Sequence, residues 1–265
     1  MPAARGVPEF TAIRVSAEGA VGGIVLNRPE KLNALSGRML EELIAAAEWF
    51  TEQVEVKVVV VSGAGRAFSA GADLTTFADM TGSREEGLEA ADLGRRMADA
   101  LAGTRPLTIA RIHGHCIGGG LVVAAACDLR VAANDARFSI PEVDLGIPLA
   151  WGGIPRLVRE IGPAATKELV LTCREFDAAE ARVLGFLNRV VDPGQLDREV
   201  TGLCDKLAGQ PSYSLELTKR QVNEVAEESG STADSNGDAT FLLDALRDPE
   251  SLARMSAYMA GRGRT

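Results

Sequence analysis

The run VKVVVVS, Val56–Ser62, is almost entirely β-branched and leads at once into a glycine-rich turn, GAGRAFSAGADL, Gly63–Leu74. The pattern then recurs: LTIARI, Leu107–Ile112, leads into GHCIGGGLVVAAACDLR, Gly114–Arg130. A short apolar run without alternation reads as a strand covered on both faces, and such strands belong to parallel sheets. Parallel neighbours need a crossover, and the stretch from about Arg84 to Ala102 supplies a helix between the two runs. Strand, turn and helix in this repeating order predict an α/β fold.

The flanks extend this frame. Residues 12–27 alternate as two strands around a turn at Glu18–Gly19. From Ser36 to about Gln53, Leu40, Leu43, Ile44 and Ala47 recur at helical spacing behind a serine N-cap. The helix after Gly120 is short and nearly all apolar, so it is expected to be buried; strands follow near Asp128–Ala132 and Arg137–Ser139. Beyond about Asp192 the pattern turns helical, over Asp197–Ala208, Ser212–Glu227, Gly237–Leu246 and Pro249–Met259. The small polar residues of Glu228–Asp238 read as a flexible linker. A helical end without its own core is a candidate for packing on a neighbouring subunit. The chain thus divides into a core, 1–195, and a helical region, 196–265.

Composition narrows the partners. The 265 residues carry a net charge of −9, which disfavours nucleic acid, so a polyanionic ligand needs a local basic patch. Cys116, Cys127, Cys173 and Cys204 are far apart in mostly apolar runs and read as reduced, buried thiols. The N-terminal stretch MPAARGVPEF has no apolar segment of signal-peptide length, and no run reaches membrane-spanning length. The expectation is a cytoplasmic protein with no membrane partner.

The chemistry concentrates in the two turns and one carboxylate. Gly63–Leu74 is not a dinucleotide fingerprint, because Phe68 stands where the third glycine belongs, and no Gly-Lys-Ser/Thr follows for a phosphate loop. Its bland reading is a plain turn after a strand; its functional reading points the Ala72 N–H into a cleft. Gly118–Gly120 opens a buried helix whose free N–H groups favour an anion. Two such turns suggest a two-donor oxyanion hole. Glu142 lies among Ile140, Pro141, Val143 and Leu145; apolar surroundings raise a carboxyl pKa toward neutrality, as a general acid/base requires. Asp144 is the rival candidate. His113 and His115 have no third ligand in view, so no metal site is expected, and no GxSxG elbow is present.

Taken in order, LNRPEKLNALS (Leu26–Ser36), SAGADL, GGG…ACDLR and PEVDLGI resemble the enoyl-CoA hydratase/isomerase (crotonase) family along nearly the whole chain. The resemblance implies a spiral of ββα units, a C-terminal helical trimerisation region with trimers often paired into hexamers, and acyl-CoA thioesters as substrates, with no further cofactor. It implies that the N–H groups of Ala72 and Gly119 form the oxyanion hole. Ala70 and Ala72–Leu74, Asp73 among them, would hold the adenine and pantetheine, and Arg28 and Lys31 the CoA phosphates. Tyr258 and Arg262 match a region able to reach a neighbouring CoA site. Hydratases of the family use two glutamates: one matches Glu142, but the other falls at Val122, which can neither accept a proton nor orient a water. A lone glutamate resembles the Δ3-Δ2-enoyl-CoA isomerases, whereas dienoyl-CoA isomerases need further acids where this chain has Val122 and, nearby, Ala150. The expected reaction is isomerisation with Glu142 as sole acid/base. Hydration and non-catalytic acyl-CoA binding are the alternatives. Val122 and Trp151 are expected in the acyl pocket, which the helix Arg84–Ala102 and the segment Ile147–Trp151 would shape; the bulk of Trp151 and Leu149 reads either as a restriction of that pocket or, for Trp151, as ordinary core packing.

Overall fold

In the computed structural model, residues 6–75 and 83–262 are described, so the first five residues of the N-terminal stretch and the end of the SAGADL-to-helix connection lie outside the described residues. In chain order the described elements are β1 (Ile13–Glu18), β2 (Val21–Leu26), α1 (Gly37–Glu52), β3 (Val58–Gly63), α2 (Arg84–Gly103), β4 (Leu107–Ile112), β5 (His115–Ile117), α3 (Gly119–Ala125), β6 (Leu129–Ala133) and β7 (Arg137–Ser139). They continue with α4 (Gly153–Thr172), β8 (Phe176–Asp177), α5 (Ala178–Val183), β9 (Arg189–Val191), α6 (Leu196–Ala208), α7 (Ser212–Ser229), α8 (Asp238–Ala245) and α9 (Pro249–Arg262).

One sheet runs β1-β2-β3-β4-β6-β9, antiparallel only at the β1–β2 hairpin and parallel from β2 onward. The covered strands are its centre: Ile24, Val61 and Ala110 stand in register across three of them, each with 1% exposure or less. A second sheet, β5-β7-β8, pairs β5 with β7 in parallel and β7 with β8 antiparallel. Repeated strand–helix units with helices at the C-terminal end make this the mixed α/β architecture of the crotonase fold.

Local chemistry explains the helix starts. The Ser36 side chain accepts from Met39 N–H, and Ser83 and Glu86 form a reciprocal capping box. On α1, Leu40, Leu43, Ala47 and Phe50 face the core. The same helix carries the buried Glu42, which accepts from the N–H groups of Thr11, Ala12 and Ile13 at 3.0, 2.7 and 3.1 Å and so ties down the entry to β1. Burial works to raise its pKa, but these hydrogen bonds, with one from Arg38, hold it below the ordinary value.

Three features differ from the sequence reading. The stretch after Thr172 contains β8, α5 and β9, and α4 precedes it; none shows a clean period, because α4 is broken at Gly162–Pro163 and the others are six residues or shorter. The linker at Glu228–Asp238 is instead an ordered turn, with a 3-10 helix over Thr232–Gly237 and Ser235 buried. Its polar side chains bond locally: Glu227 accepts from Thr232 N–H and Oγ1, and Ser231 from Ala233 N–H. Finally, much of the C-terminal region packs on its own chain. Leu196, Val200, Leu203 and Cys204 of α6 lie with Val58, Ile109 and Val131, while Ala239, Leu242 and Leu243 of α8 join the main core. Helices α7 and α9 stand largely outside, with Val222 and Val225 of α7 and Leu252 and Met259 of α9 exposed; the one buried residue of α7, Lys219, donates to Asp128 at 2.8 Å and to Pro106 O at 2.9 Å.

Candidate active site

The two glycine turns meet. Ser69 bridges to Cys116 of β5, and Ala72 pairs in parallel with Leu35. Leu35 N–H donates to Gly71 O at 2.8 Å and Leu35 O accepts from Asp73 N–H at 3.0 Å. In a parallel pair this leaves the N–H of the residue between, Ala72, pointing away from Leu35. It has no acceptor among the described residues. Gly119 is the first residue of α3, where an N–H has no intrahelical acceptor. The turns approach so closely that a Cβ on Gly71 would lie 3.5 Å from Gly119 N. Two unused donors therefore sit side by side at the end of the parallel strands, able to receive an oxygen that gains charge.

Glu142 faces this point. Its loop is closed by Ile147 N–H to Glu142 O at 2.9 Å and Leu145 N–H to Pro141 O at 3.0 Å, which aims the side chain inward. The carboxylate lies against Gly118, whose backbone (φ +48°, ψ −116°) suits only glycine and whose missing Cβ would come 2.4 Å from Oε1. Burial leaves Oε2 with no hydrogen-bond partner and pushes the pKa up from 4.5 to about 7. Such a carboxyl gains and loses a proton near neutral pH. Asp144, the rival, is half-exposed and ion-paired to Arg254 on α9. It takes no part in this cavity.

The cavity beside Glu142 is small, about 30 Å³, with walls from Ala72, Gly119, Val122, Trp151 and Leu242 among others. Among its described lining residues Glu142 alone is ionisable. Val122, 1% exposed, gives the cavity an apolar wall. Of the larger hollows, one between α6 and β9 and one behind α7 share no wall with this cavity, whereas one under α9 shares Ile147 and Pro148 with it. Among the described residues no three of His, Cys, Asp or Glu gather to hold a metal, and no helix is long and apolar enough to cross a membrane.

A family model described as enoyl-CoA hydratase/isomerase matches residues 16–259. The chain belongs to the enoyl-CoA hydratase/isomerase family. It is 35% identical over 220 residues to a probable enoyl-CoA hydratase of Mycobacterium bovis, covering 83% of this chain and 84% of the relative. It is 34% identical over 232 residues to a peroxisomal Δ3,5-Δ2,4-dienoyl-CoA isomerase of Arabidopsis thaliana, covering 82% and 84%. A crystal structure of an enoyl-CoA hydratase subunit from Geobacillus kaustophilus superposes with a TM-score of 0.77 at 36% identity, over 96% of this chain and 97% of that one. The protein is thus an enzyme of the hydratase/isomerase family, acting on acyl-CoA thioesters.

The remaining expected residues fall in two groups. Ala70, Asp73 and Leu74 continue the first turn; Ala70 N–H is bonded to Leu32 O at 2.9 Å, and Leu74 packs on the core. Asp73 is buried and pairs with Arg28 at 2.9 Å and Lys31 at 3.7 Å. Arg28 also donates to Ala34 O at 2.6 Å, so its guanidinium is engaged within the chain, whereas half of the Lys31 side chain is exposed. Tyr258 packs against its own chain's core; the side chain of Arg262 lies outside the described residues. Two members of this enzyme's site escaped the sequence reading. Leu242 reaches the cavity only through the docking of α8. Gly94 underlies Trp151, and a glycine inside an otherwise regular helix was the signal for it.

Proposed function

We propose that the protein is a Δ3-Δ2-enoyl-CoA isomerase in which Glu142 is the sole acid and base. The reading rests on one observation: Glu142 is the single ionisable group among the described residues that line the cavity. The family resemblance supports it, since it matches Val122 to the position of a hydratase's second glutamate. The thioester oxygen of a 3-enoyl-CoA accepts from the N–H groups of Ala72 and Gly119. Glu142 takes a proton from C2; the C–H pair forms the C1–C2 double bond of a dienolate, and its negative charge rests on the thioester oxygen. As that charge collapses, the C2–C3 double bond forms and the C3–C4 pair takes the proton back from Glu142 at C4. No water is consumed, which fits the apolar wall at Val122. A pKa near 7 suits both halves of the shuttle.

In the same reading, Lys31 is the cation for the CoA phosphates, and Ala70 and Leu74 flank the pantetheine. Three copies assemble through the faces that α7 leaves open at Val222 and Val225. Hydration of 2-enoyl-CoA is the second reading, favoured by the hydratase names of similar proteins. Parallel assays separate the two. The isomerase reading expects conjugation from a trans-3-enoyl-CoA that falls at least ~10²-fold in Glu142→Gln. Rapid 3-hydroxyacyl-CoA formation from a trans-2-enoyl-CoA would overturn it.

A further inference from the structure

Trp151 occupies a position that the proposed reaction does not explain. It adopts a left-handed backbone, φ +63°, and Gly152 follows at φ +65°. A bulky side chain in that region is strained and persists only where its surroundings hold it. The holding contacts are present on both sides of the next residue. Gly152 N–H donates to Asp238 Oδ2 at 2.8 Å, and Gly152 O accepts from Arg156 Nη1 at 3.0 Å. Arg156 is in turn bonded to Asp99 at 2.7 Å. Helices α2, α4 and α8 therefore each contribute one charged side chain to fix a single turn.

The indole that this turn carries is seated on two glycines. A Cβ on Gly94 of α2 would lie 2.1 Å from the ring, and one on Gly119 would lie 2.3 Å from it. The ring thus fills the space between α2 and the oxyanion-hole residue itself. What remains beside Glu142 is about 30 Å³, and since a cavity needs ~10–15 Å³ to take one water there is room for only two or three groups of that size.

We infer that Trp151 is the wall that ends the acyl pocket and confines this enzyme to short-chain acyl-CoA thioesters of about four carbons, with Asp238 acting as the positioning residue that holds the Trp151–Gly152 turn. The inference rests on the acyl-CoA reading of the same site, not on which reaction that site performs. A longer chain has to displace an indole that has no vacant space behind it, because α2 already touches its far edge. The other large side chains among the described walls of the cavity are Ile147, Leu149 and Leu242.

Calorimetric titration with butanoyl-, hexanoyl-, octanoyl- and decanoyl-CoA tests this without turnover. Wild type should prefer butanoyl- over octanoyl-CoA by ~10-fold or more, and Trp151→Ala should reverse the order. Trp151→Leu gives the same readout with less lost packing if the alanine variant does not fold. Asp238→Ala should move the octanoyl-to-butanoyl ratio in the same direction, while Asp238→Asn, which keeps an acceptor for Gly152 N–H, should retain the wild-type ratio. Equal affinity across the series in wild type, an unchanged preference in both Trp151 variants, or no acyl-CoA bound more tightly than CoA itself would overturn the proposal. A chain-length preference in binding, without conversion of a 3-enoyl-CoA, would remove the isomerase reading and leave this one standing.

Discussion

Replacing Glu142 by glutamine should abolish activity and stabilise the fold, and the stabilisation should grow with pH. The buried carboxyl keeps its proton to about pH 7, against an ordinary value of 4.5. Folded Glu142 holds the proton more tightly than the unfolded chain does, so stability falls as pH rises from about 4.5 to about 7 and levels off above it. The full cost is about 3 kcal/mol, from about 1.4 kcal/mol for each tenfold change in proton affinity. Glutamine has the same shape and no charge to desolvate. Urea unfolding of both proteins at pH 5 and pH 8.5 gives a double difference in which every other titrating group cancels. The advantage of the variant should increase by about 2.5 kcal/mol between those two pH values. A pH-independent difference, or one that shrinks toward alkaline pH, would refute the claim that burial without a partner sets the chemistry of this group. A site that is costly to the fold in its active charge state is what proton transfer by one buried carboxylate requires.

Four further outcomes follow from other contacts. For wild type, kcat/KM on a 3-enoyl-CoA should rise with pH and inflect near 7, since the base must be ionised; a profile flat from pH 5.5 to 8.5 would argue against Glu142. Val122→Glu supplies a second acid facing the first, and the ratio of hydration to isomerisation should rise by ~10-fold or more when both products are assayed. Glu42→Ala frees three backbone N–H groups and should cost about 3 kcal/mol by urea unfolding. Because the folded pKa of Glu42 lies below its ordinary value, its contribution is complete above about pH 4.5 and is lost as the solution is acidified further. Lys219→Ala removes the cation that Asp128 accepts from and should cost about 3 kcal/mol, with α7 amides losing hydrogen-exchange protection before the sheet does.

Much of the fold was legible because its signals are local. Val56–Ser62 and Leu107–Ile112 read as covered parallel strands from their β-branched, non-alternating composition, and β3 and β4 lie there in register. Ser36 declared the start of α1 by its cap. The region from Gly153 to Val191 was silent, since a broken helix and strands of two and three residues carry too little periodicity. The polar stretch Glu228–Asp238 was misread as flexible because the side chains that mark solvated chain are also the ones that close an ordered turn.

The sequence by itself determined the features that depend on residue type: two glycine turns after covered strands, and one carboxylate in an apolar setting. Tertiary structure alone decided how those pieces meet. The pairing of Leu35 with Ala72 aims one donor, and the close approach of Gly71 to Gly119 brings the second beside it. The size of the pocket was likewise invisible in the chain, because it depends on α8 docking against α2 and on a ring resting on Gly94 and Gly119, residues far apart in sequence. Periodicity, capping and turn chemistry act over a few neighbours and can be read in order; distances between remote segments are set only when the whole core closes around them.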